Sequence, residues 1–254
     1  MVCRSEGEAT MILSYIQLEE IAAAVVKDFN HFFFGDKHDQ NRYVPQATPI
    51  DSLAKEYLGL TVRFIHLSAD GNLCGLTSYV DTEYVIEEMG VQRTILLKRN
   101  QVLLDDSFVR PGQVYKLCGK RRFTLAHECA HQILFQMESE EGKRICERKY
   151  SARTAYSLRD LKTREDWNEW QANALGAAIL MPPAEIERAM WMFAQCRKLV
   201  NYEGRFSYPD KLALKLLCDS LGVSKAAAII RLRQLGYMED RPYAEFIDPL
   251  EVWP

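Results

Sequence analysis

The chain has 254 residues, 48% of them apolar, and a formal net charge of −3, values that are ordinary for a globular protein. This charge excludes a general electrostatic attraction to nucleic acid or to a membrane surface, so any such contact would need a local patch. Its seven scattered cysteines form no CxxC pair, and there is neither a signal-peptide pattern nor a window of 18 uninterrupted apolar residues. We therefore expect a cytoplasmic protein without a disulfide framework, a cysteine-based zinc site or a membrane span.

The first half of the sequence predicts helices on a small sheet. Residues 1–10 are typical of a loose tail, and residues 14–30 carry apolar side chains at helical spacing, namely Ile16, Ile21 and Val25. A loop with an apolar anchor follows, and residues 49–58 predict a second helix. Four segments predict strands, with a turn at MGV between the last two: LTVRFIHL, LCGLTSYV, TEYVIEE and VQRTILL. We expect these strands to form a largely antiparallel sheet.

The second half of the sequence is mostly helical. Residues 138–166 are dense in charges of both signs and predict an exposed, partly helical excursion. The segments WNEWQANALGAAILMP and PAEIERAMWMFA predict two helices, which two adjacent prolines separate. Two shorter helical patterns end the chain: KLALKLLCDSLG and VSKAAAIIRLRQLG. The fold class that follows is α+β.

The stretch FTLAHECAHQIL, from Phe123 to Leu134, predicts a buried helix that three ionisable side chains interrupt. His127 and His131 are four residues apart, so on a helix their rings share one face and can bind one Zn²⁺. Glu128 is turned by about 100° from His127 and can reach a water beside the ion. Burying three such groups is costly unless they share a partner, so we interpret HExxH as a metal site rather than a chance match.

A third ligand is needed, since catalytic zinc usually takes three from the protein and no histidine follows His131. Glu169 comes 38 positions later in the apolar segment EWQANALGAAILMP, with Asn173 one turn further on the same face. The carboxylate can bind zinc, and the amide can orient a ligand. Alternatively, Glu169 is simply a favourable charge at a helix N-terminus. Spacing alone does not decide between these two roles.

Other metal-binding side chains have no ligand-like spacing. His31, His38 and His66 lie far upstream, and we interpret them as surface or packing residues. Cys129 faces away from the two histidines of the pattern and is typical of a core residue.

Two separated motifs, RRFTLAHECAH and EWQANALGAAILMPP, resemble the ImmA/IrrE family of metallopeptidases in their order and in their neighbouring residues. The resemblance implies a compact zincin-like core, of the gluzincin type. It implies zinc bound by His127, His131 and Glu169, with Glu128 as the general base and Asn173 supporting a ligand. Mn²⁺ is the alternative ion.

The resemblance extends over most of residues 43–236, because the family's catalytic part is often followed by GVSxxAxxxRLxxLG. The sequence departs from the family at Cys129, where an apolar residue is frequent, and at Gly176, near a usual aromatic position. The segment between the two motifs is also longer and more charged than expected. We expect a tail and helix at 1–42, a zinc metallopeptidase-like domain at 43–205 and a helix-turn-helix-like segment with a tail at 206–254.

The C-terminal helices allow two interpretations. Ser224 is a candidate N-cap of the second helix and Gly236 a candidate C-terminal stop, as in a helix-turn-helix. The pair could read DNA through Lys225, Arg231 and Arg233. It could instead pack against the catalytic part or dock a protein substrate, which we favour because the basic residues are few.

The resemblance implies a site-specific zinc endopeptidase that cuts a transcriptional repressor, and we expect a helix-turn-helix repressor as the substrate. The composition favours the cytoplasm and no membrane contact, and the C-terminal helices make DNA a weak additional candidate partner. The alternative is a DNA-binding or partner-sequestering regulator whose zinc site is not catalytic. Tyr150 and Tyr156 are candidate oxyanion donors, or else surface tyrosines without a catalytic role. Residues 138–166 are a candidate lid, and RTILLK is a candidate strand for pairing with an extended substrate.

Overall fold

The computed structural model describes residues 11–35, 43–67, 73–88, 91–148 and 164–247, and within them the chain forms two compact units. The first unit takes its residues from 1–35 and 49–179, and the second from 36–48 and 180–254. The expected boundary near residue 205 therefore differs from this division, because the helix that follows Pro182 belongs with the C-terminal helices. No helix in the described ranges is long and apolar enough to cross a membrane.

The first unit combines helices with short strands. Its helices are α1 (Tyr15–Phe34), α2 (Ile50–Ser52) with the π-helical turn Leu53–Tyr57, α3 (Val114–Met137), α4 (Glu140–Arg148) and α5 (Arg164–Leu180). Its strands are β1 (Thr61–Ile65), β2 (Gly75–Thr77), β3 (Thr82–Glu88), β4 (Val91–Leu97) and β5 (Gln101–Asp105), and a short 3-10 helix covers Asp106–Val109. The mixed helix and strand content agrees with the expected fold class.

The strands form a three-stranded sheet and a separate hairpin. The order of the sheet is β1–β5–β2, with β1 parallel and β2 antiparallel to the central strand β5. The antiparallel β3–β4 pair confirms the predicted hairpin. The expectation of a largely antiparallel sheet is wrong for β1. It fails because the sequence analysis missed β5, whose residues QVLLD are buried without alternation, as a central strand requires.

Helix α1 begins with a capping box, in which Ser14 and Gln17 exchange hydrogen bonds between side chain and backbone. Its buried face consists of Leu18, Ala22 and Phe29. The predicted apolar face was wrong at Ile16, which is 70% exposed. The helix also runs four residues beyond the predicted end, through residues that the pattern assigned to a loop.

The two long helices α3 and α5 carry the motifs. Helix α3 is buried from Thr124 to Ile133 and lies against β2 and β5. On α5, Gly176 approaches α3 so closely that an added Cβ would lie 3.1 Å from the Ala126 carbonyl carbon and 3.1 Å from the His127 nitrogen. Because glycine has no Cβ, the backbones of the two motif-bearing helices can come into close contact at this position.

The second unit contains α6 (Pro183–Ala194), α7 (Tyr208–Leu221), α8 (Lys225–Gln234) and a parallel pair of short strands, β6 (Leu199–Tyr202) and β7 (Met238–Arg241). The three helices confirm the predicted patterns. Gly222 ends α7 in the left-handed conformation at φ 63°, and the Ser224 side chain caps α8 by accepting from the Ala227 N–H. The strand pair was missed, because each strand is only four residues long.

Candidate metal centre

Helix α3 places three ionisable side chains in the interior of the first unit. His127 is 0% exposed, Glu128 3% and His131 4%. The Nε2 atoms of the two histidines lie 2.9 Å apart, as expected for residues one helical turn apart on one face. Their rings meet edge to face, so both nitrogens point to one spot between them.

Helix α5 brings Glu169 to the same spot. Glu169 Oε2 lies 3.2 Å from His127 Nε2, and Oε1 lies 3.2 Å from His131 Nε2. The helix begins at Arg164, so Glu169 stands a full turn inside it. A simple role as a favourable charge at the helix N-terminus is therefore excluded. The three side chains form a buried group that could hold a metal ion.

Asn173, one turn beyond Glu169, fixes the state of His127. Its Oδ1 lies 2.9 Å from His127 Nδ1 and accepts the ring proton there. A neutral imidazole with its proton on Nδ1 has an unprotonated Nε2, which is the form that binds a metal. Asn173 thus keeps the lone pair of His127 directed at His131 and Glu169.

The charge of Glu169 suits a cation. Burial raises the pKa of its carboxyl, but hydrogen bonds and positive charge from His127 and His131 in their protonated forms outweigh burial and hold that pKa well below its usual range. A bound cation would supply this positive charge with both imidazoles neutral. Three ligands bound tetrahedrally at about 2.0–2.1 Å from one Zn²⁺ lie about 3.3–3.4 Å apart, close to the distances between these three groups. Two imidazoles and one carboxylate also have the donor chemistry that Zn²⁺ takes, and Mn²⁺ less readily. The residues therefore fit a zinc ion.

Strand β2 borders this group. A Cβ added to Gly75 would lie 2.7 Å from Glu128 Oε1 and 2.5 Å from Thr124 Cγ2. Only a glycine at this position lets the strand approach the Glu128 carboxylate so closely. Within the described residues β2 pairs with β5 alone, so its other edge pairs with no strand there, and all three of its residues are buried. Strand β2 contacts α3, whereas the RTILLK strand β4 pairs only with β3 in the described chain.

Gln132 fastens the far end of β2 to α3. Its Nε2 donates to Thr77 Oγ1 at 2.7 Å and to the Ser78 carbonyl at 3.1 Å, and Thr77 Oγ1 in turn donates to the Gln101 carbonyl. The amide is 1% exposed, so the bonds are shielded from water. Gln132 follows His131 directly, and it therefore ties the position of the strand to that of the histidines.

Gly75 and Gln132 were not among the site residues predicted from the sequence. Gly75 stands in a short strand where a glycine signals only a bulge or a close approach, without naming the partner. Gln132 was hidden because a polar residue on an apolar helix carries no sign of the strand it contacts. Neither belongs to the HExxH pattern, and only the packing of β2 on α3 reveals them.

Of the other predicted candidates, those within the described residues do not join the group. Tyr150 and Tyr156 lie outside the described residues, as do His38 and most of the candidate lid, of which α4 is the described part. His31 is exposed near the end of α1. Cys129 is fully buried, as predicted, and burial raises the pKa of its thiol.

His66, which was predicted to be a surface or packing residue, lies near two carboxylates. Its Nδ1 lies 4.0 Å from Asp105 Oδ2 and 3.9 Å from Asp106 Oδ1, because the parallel strands β1 and β5 end at the same edge of the sheet. These oxygens already have donors: Leu67 N–H on Asp105 Oδ2, and Arg110 on Asp106 Oδ1. The cluster is therefore satisfied within the protein.

The three cations proposed for DNA contact are engaged within the second unit. Arg231 is 1% exposed and donates from Nε to the Met181 carbonyl, so it cannot reach a phosphate. Arg233 makes two hydrogen bonds to the Asp240 carboxylate, at 2.6 and 2.7 Å, and the Lys225 ammonium lies 4.9 Å from the centre of the Phe206 ring. These contacts favour a packing role for the helix pair.

Comparison with known proteins finds no family model and no curated protein that matches this chain. The membership in the ImmA/IrrE metallopeptidases that its two motifs suggest thus stays a prediction.

Proposed function

We propose that this protein is a zinc-dependent, site-specific endopeptidase that acts in the cytoplasm on a regulatory protein, with a helix-turn-helix repressor as the expected substrate. One observation carries the proposal: two helices that are distant in sequence bring His127, His131 and Glu169 within 3.2 Å of one another, and Glu128 follows His127 directly on the first of these helices. This is the arrangement that the resemblance to ImmA/IrrE metallopeptidases implies.

Each residue of the group has a definite task in peptide hydrolysis. His127, His131 and Glu169 would hold the zinc ion, and Asn173 would keep His127 in the binding tautomer. When bound, zinc acidifies a water molecule and polarises the scissile carbonyl. Glu128 then accepts the proton of the attacking water and delivers it to the leaving amine. Burial of Glu128 strengthens these transfers by excluding bulk water.

The edge of β2 that pairs with no described strand would bind an extended substrate in this proposal. A peptide that adds a strand there would use backbone hydrogen bonds, which suit any sequence. Gly75 would set the distance between that peptide and Glu128, and Gln132 would hold the strand in register with the histidines. β2 thereby replaces the RTILLK strand as the candidate for substrate pairing.

The test is cleavage of the repressor encoded by a neighbouring gene. Purified wild-type protein, loaded with zinc, is incubated with that repressor, and the fragments are identified by mass spectrometry. Glu128→Gln should retain one zinc ion per chain but lower the cleavage rate by about 10²–10⁴-fold, because it cannot accept the proton. Glu20→Gln, an exposed glutamate on α1, is the matched control and should cleave at the wild-type rate.

Two outcomes would reject the proposal. A stable complex with the repressor that Glu128→Gln forms equally well, without fragments in either case, indicates a sequestering regulator. Equal cleavage by wild type and Glu128→Gln indicates a contaminating peptidase.

A further inference from the structure

A small polar cleft adjoins the metal-ligand group of the first unit. Its lining includes His131 and Glu138 from α3 and its end, together with Asn168 and Gln171 from α5. The cleft has a volume of about 20 Å³. A water molecule needs a cavity of at least about 10–15 Å³ with two to four polar partners. The cleft therefore has the size and the polarity to hold one water molecule.

The ring of His131 has one nitrogen that the ligand group does not use. Its Nε2 lies 2.9 Å from His127 Nε2 and 3.2 Å from Glu169 Oε1, so Nε2 is the atom that would bind zinc. The proton of the neutral ring is then on Nδ1, and a metal-binding histidine almost always donates that proton to an oxygen. Within the described residues no hydrogen bond involves His131 Nδ1. The side chain is 5% exposed and lines the cleft, so a water molecule can reach it there.

Asn168 offers an acceptor on the other side of the cleft. It directly precedes Glu169 on α5 and is half-buried. In the described part of the chain, no hydrogen bond engages its side-chain amide. The amide lines the same cleft as His131, so one water molecule between them would have a donor on α3 and an acceptor on α5.

Helix α5 already supplies such an acceptor to the other histidine. Asn173 Oδ1 lies 2.9 Å from His127 Nδ1 and accepts its proton directly. Asn173 comes four residues after Glu169, and Asn168 comes one residue before it. The two asparagines are therefore on opposite sides of the third ligand along the helix.

The direction of the two helices places Asn168 at the His131 end. Gly176, late in α5, approaches the backbone of His127, whereas Glu169, earlier in α5, contacts His131 as well. The helices thus run past each other in opposite directions, and the residue before Glu169 lies towards the later histidine of α3.

The other polar side chains of the cleft bind the segment before α1. Gln171 Oε1 accepts the Leu13 N–H at 2.7 Å, and its Nε2 donates to the Met11 carbonyl at 3.4 Å. Glu138 Oε1 accepts the Met11 N–H at 2.9 Å. These bonds fix Gln171 and Glu138 to the chain that covers the cleft, which makes Asn168 the lining amide best placed to accept from a bound water.

We propose that this cleft binds one water molecule, which accepts the Nδ1 proton of His131 and donates to the side-chain oxygen of Asn168. Asn168 is thereby a positioning residue that does for His131, through water, what Asn173 does for His127 directly. The inference rests on the zinc site of the proposed function and not on the identity of the substrate.

The first test is zinc affinity, measured by competition with a chromophoric chelator. Asn168→Ala should lower the affinity by about tenfold, the lower end of the range for lost orienting contacts. Alanine has the higher helix propensity, so a merely structural role for Asn168 predicts an affinity that is unchanged or higher. Asn168→Asp keeps an oxygen acceptor of the same shape and should bind zinc at least as tightly as wild type. Asn30→Ala, the same change at a half-buried position of α1, is the matched control.

The second test observes the ring proton itself by NMR, with ¹⁵N-labelled histidine. Loading with ¹¹³Cd identifies the two metal-bound rings, and Asn173→Ala shows which of them is His127. In the wild type, the Nδ1 proton of His131 should give a cross-peak to bound water. Its signal should be lost in Asn168→Ala and retained in Asn168→Asp and Asn30→Ala.

The outcomes separate this inference from the proposed function. Zinc affinity and a His131 signal that are the same in Asn168→Ala and in wild type overturn the inference and leave the zinc site standing. A His131 ring proton without a cross-peak to water also overturns it. A wild-type protein that binds no zinc refutes the proposed function itself, and the inference falls with it.

Discussion

Replacement of Gly176 by alanine should weaken zinc binding without touching any ligand. Gly176 lies seven positions after Glu169, which is about two helical turns, so both residues are on the face of α5 that meets α3. A Cβ at position 176 would lie 3.1 Å from Ala126 carbonyl carbon and His127 nitrogen. Both neighbours are backbone atoms of a buried helix, and neither can rotate away.

The size of the effect follows from the distances. Non-bonded carbon atoms make favourable contacts at separations of about 3.5 Å or more. Since the added Cβ would lie 3.1 Å from its neighbours, the two helices must separate by at least about 0.4 Å at this point. Metal–ligand distances tolerate only about 0.2 Å. We expect zinc affinity to fall by about tenfold or more, comparable to the loss of an orienting contact. Overpacking should lower the free energy of unfolding by about 1–3 kcal/mol. The higher helix propensity of alanine should raise it by about 1 kcal/mol and so offset part of that loss.

The assay is competition for zinc with a chromophoric chelator, together with urea unfolding of the metal-free protein. Ala177→Gly, next to the contact, is the control that reports helix propensity in α5. A Gly176→Ala protein that is more stable than wild type and binds zinc equally well would refute the reasoning, because the close approach of α5 to α3 would then not position Glu169.

Three further predictions concern single contacts. Asn173→Ala should lower zinc affinity by about 10–100-fold in chelator competition, since His127 loses the acceptor that fixes its tautomer, and wild-type affinity would contradict this. Gly75→Ala should keep zinc affinity within about twofold but slow repressor cleavage, because the Cβ displaces Glu128; unchanged cleavage would count against a role for β2. Asp51→Asn should cost about 0.5–1 kcal/mol of unfolding free energy at neutral pH, a small value because Asp51 is 42% exposed. Hydrogen bonds from Arg121 lower the pKa of Asp51 below its ordinary 3.8, so this stabilisation is fully present above that pH and is lost as the pH falls through the lowered value; the difference in urea unfolding should shrink as the pH falls below 3.8.

The helices of this chain were predictable where their apolar patterns are long or where a proline marks a helix boundary. In α3, apolar residues at helical spacing surround the HExxH residues, and in α6 a proline begins the helix. The spacing of His127 and His131 also determines their shared face in any helix. The convergence of Glu169 on that face could not be derived from spacing, since it depends on how α5 packs against α3.

The sheet was less predictable, because strand pairing is decided by contacts between distant segments. QVLLD follows a turn in which Asn100 adopts φ 57°, and its short apolar run is compatible with a strand or a buried helix. Its parallel pairing with β1 across the intervening hairpin leaves no local mark. The position of β2 beside Glu128 follows from this pairing and was therefore hidden as well.

The energetics of the buried group favour a function over a purely structural origin. Ionisable side chains in an interior pay for desolvation, and well-packed apolar residues of similar volume usually stabilise a fold equally or better. Here His127, His131 and Glu169 satisfy part of that need through one another, at 2.9 and 3.2 Å, so removal of any one leaves the other two buried with fewer partners. Gly176 adds a close approach of α5 to the α3 backbone at His127, and Asn173 adds a hydrogen bond to the His127 ring. A core selected for packing alone has no use for such an arrangement, whereas a divalent cation needs all of it.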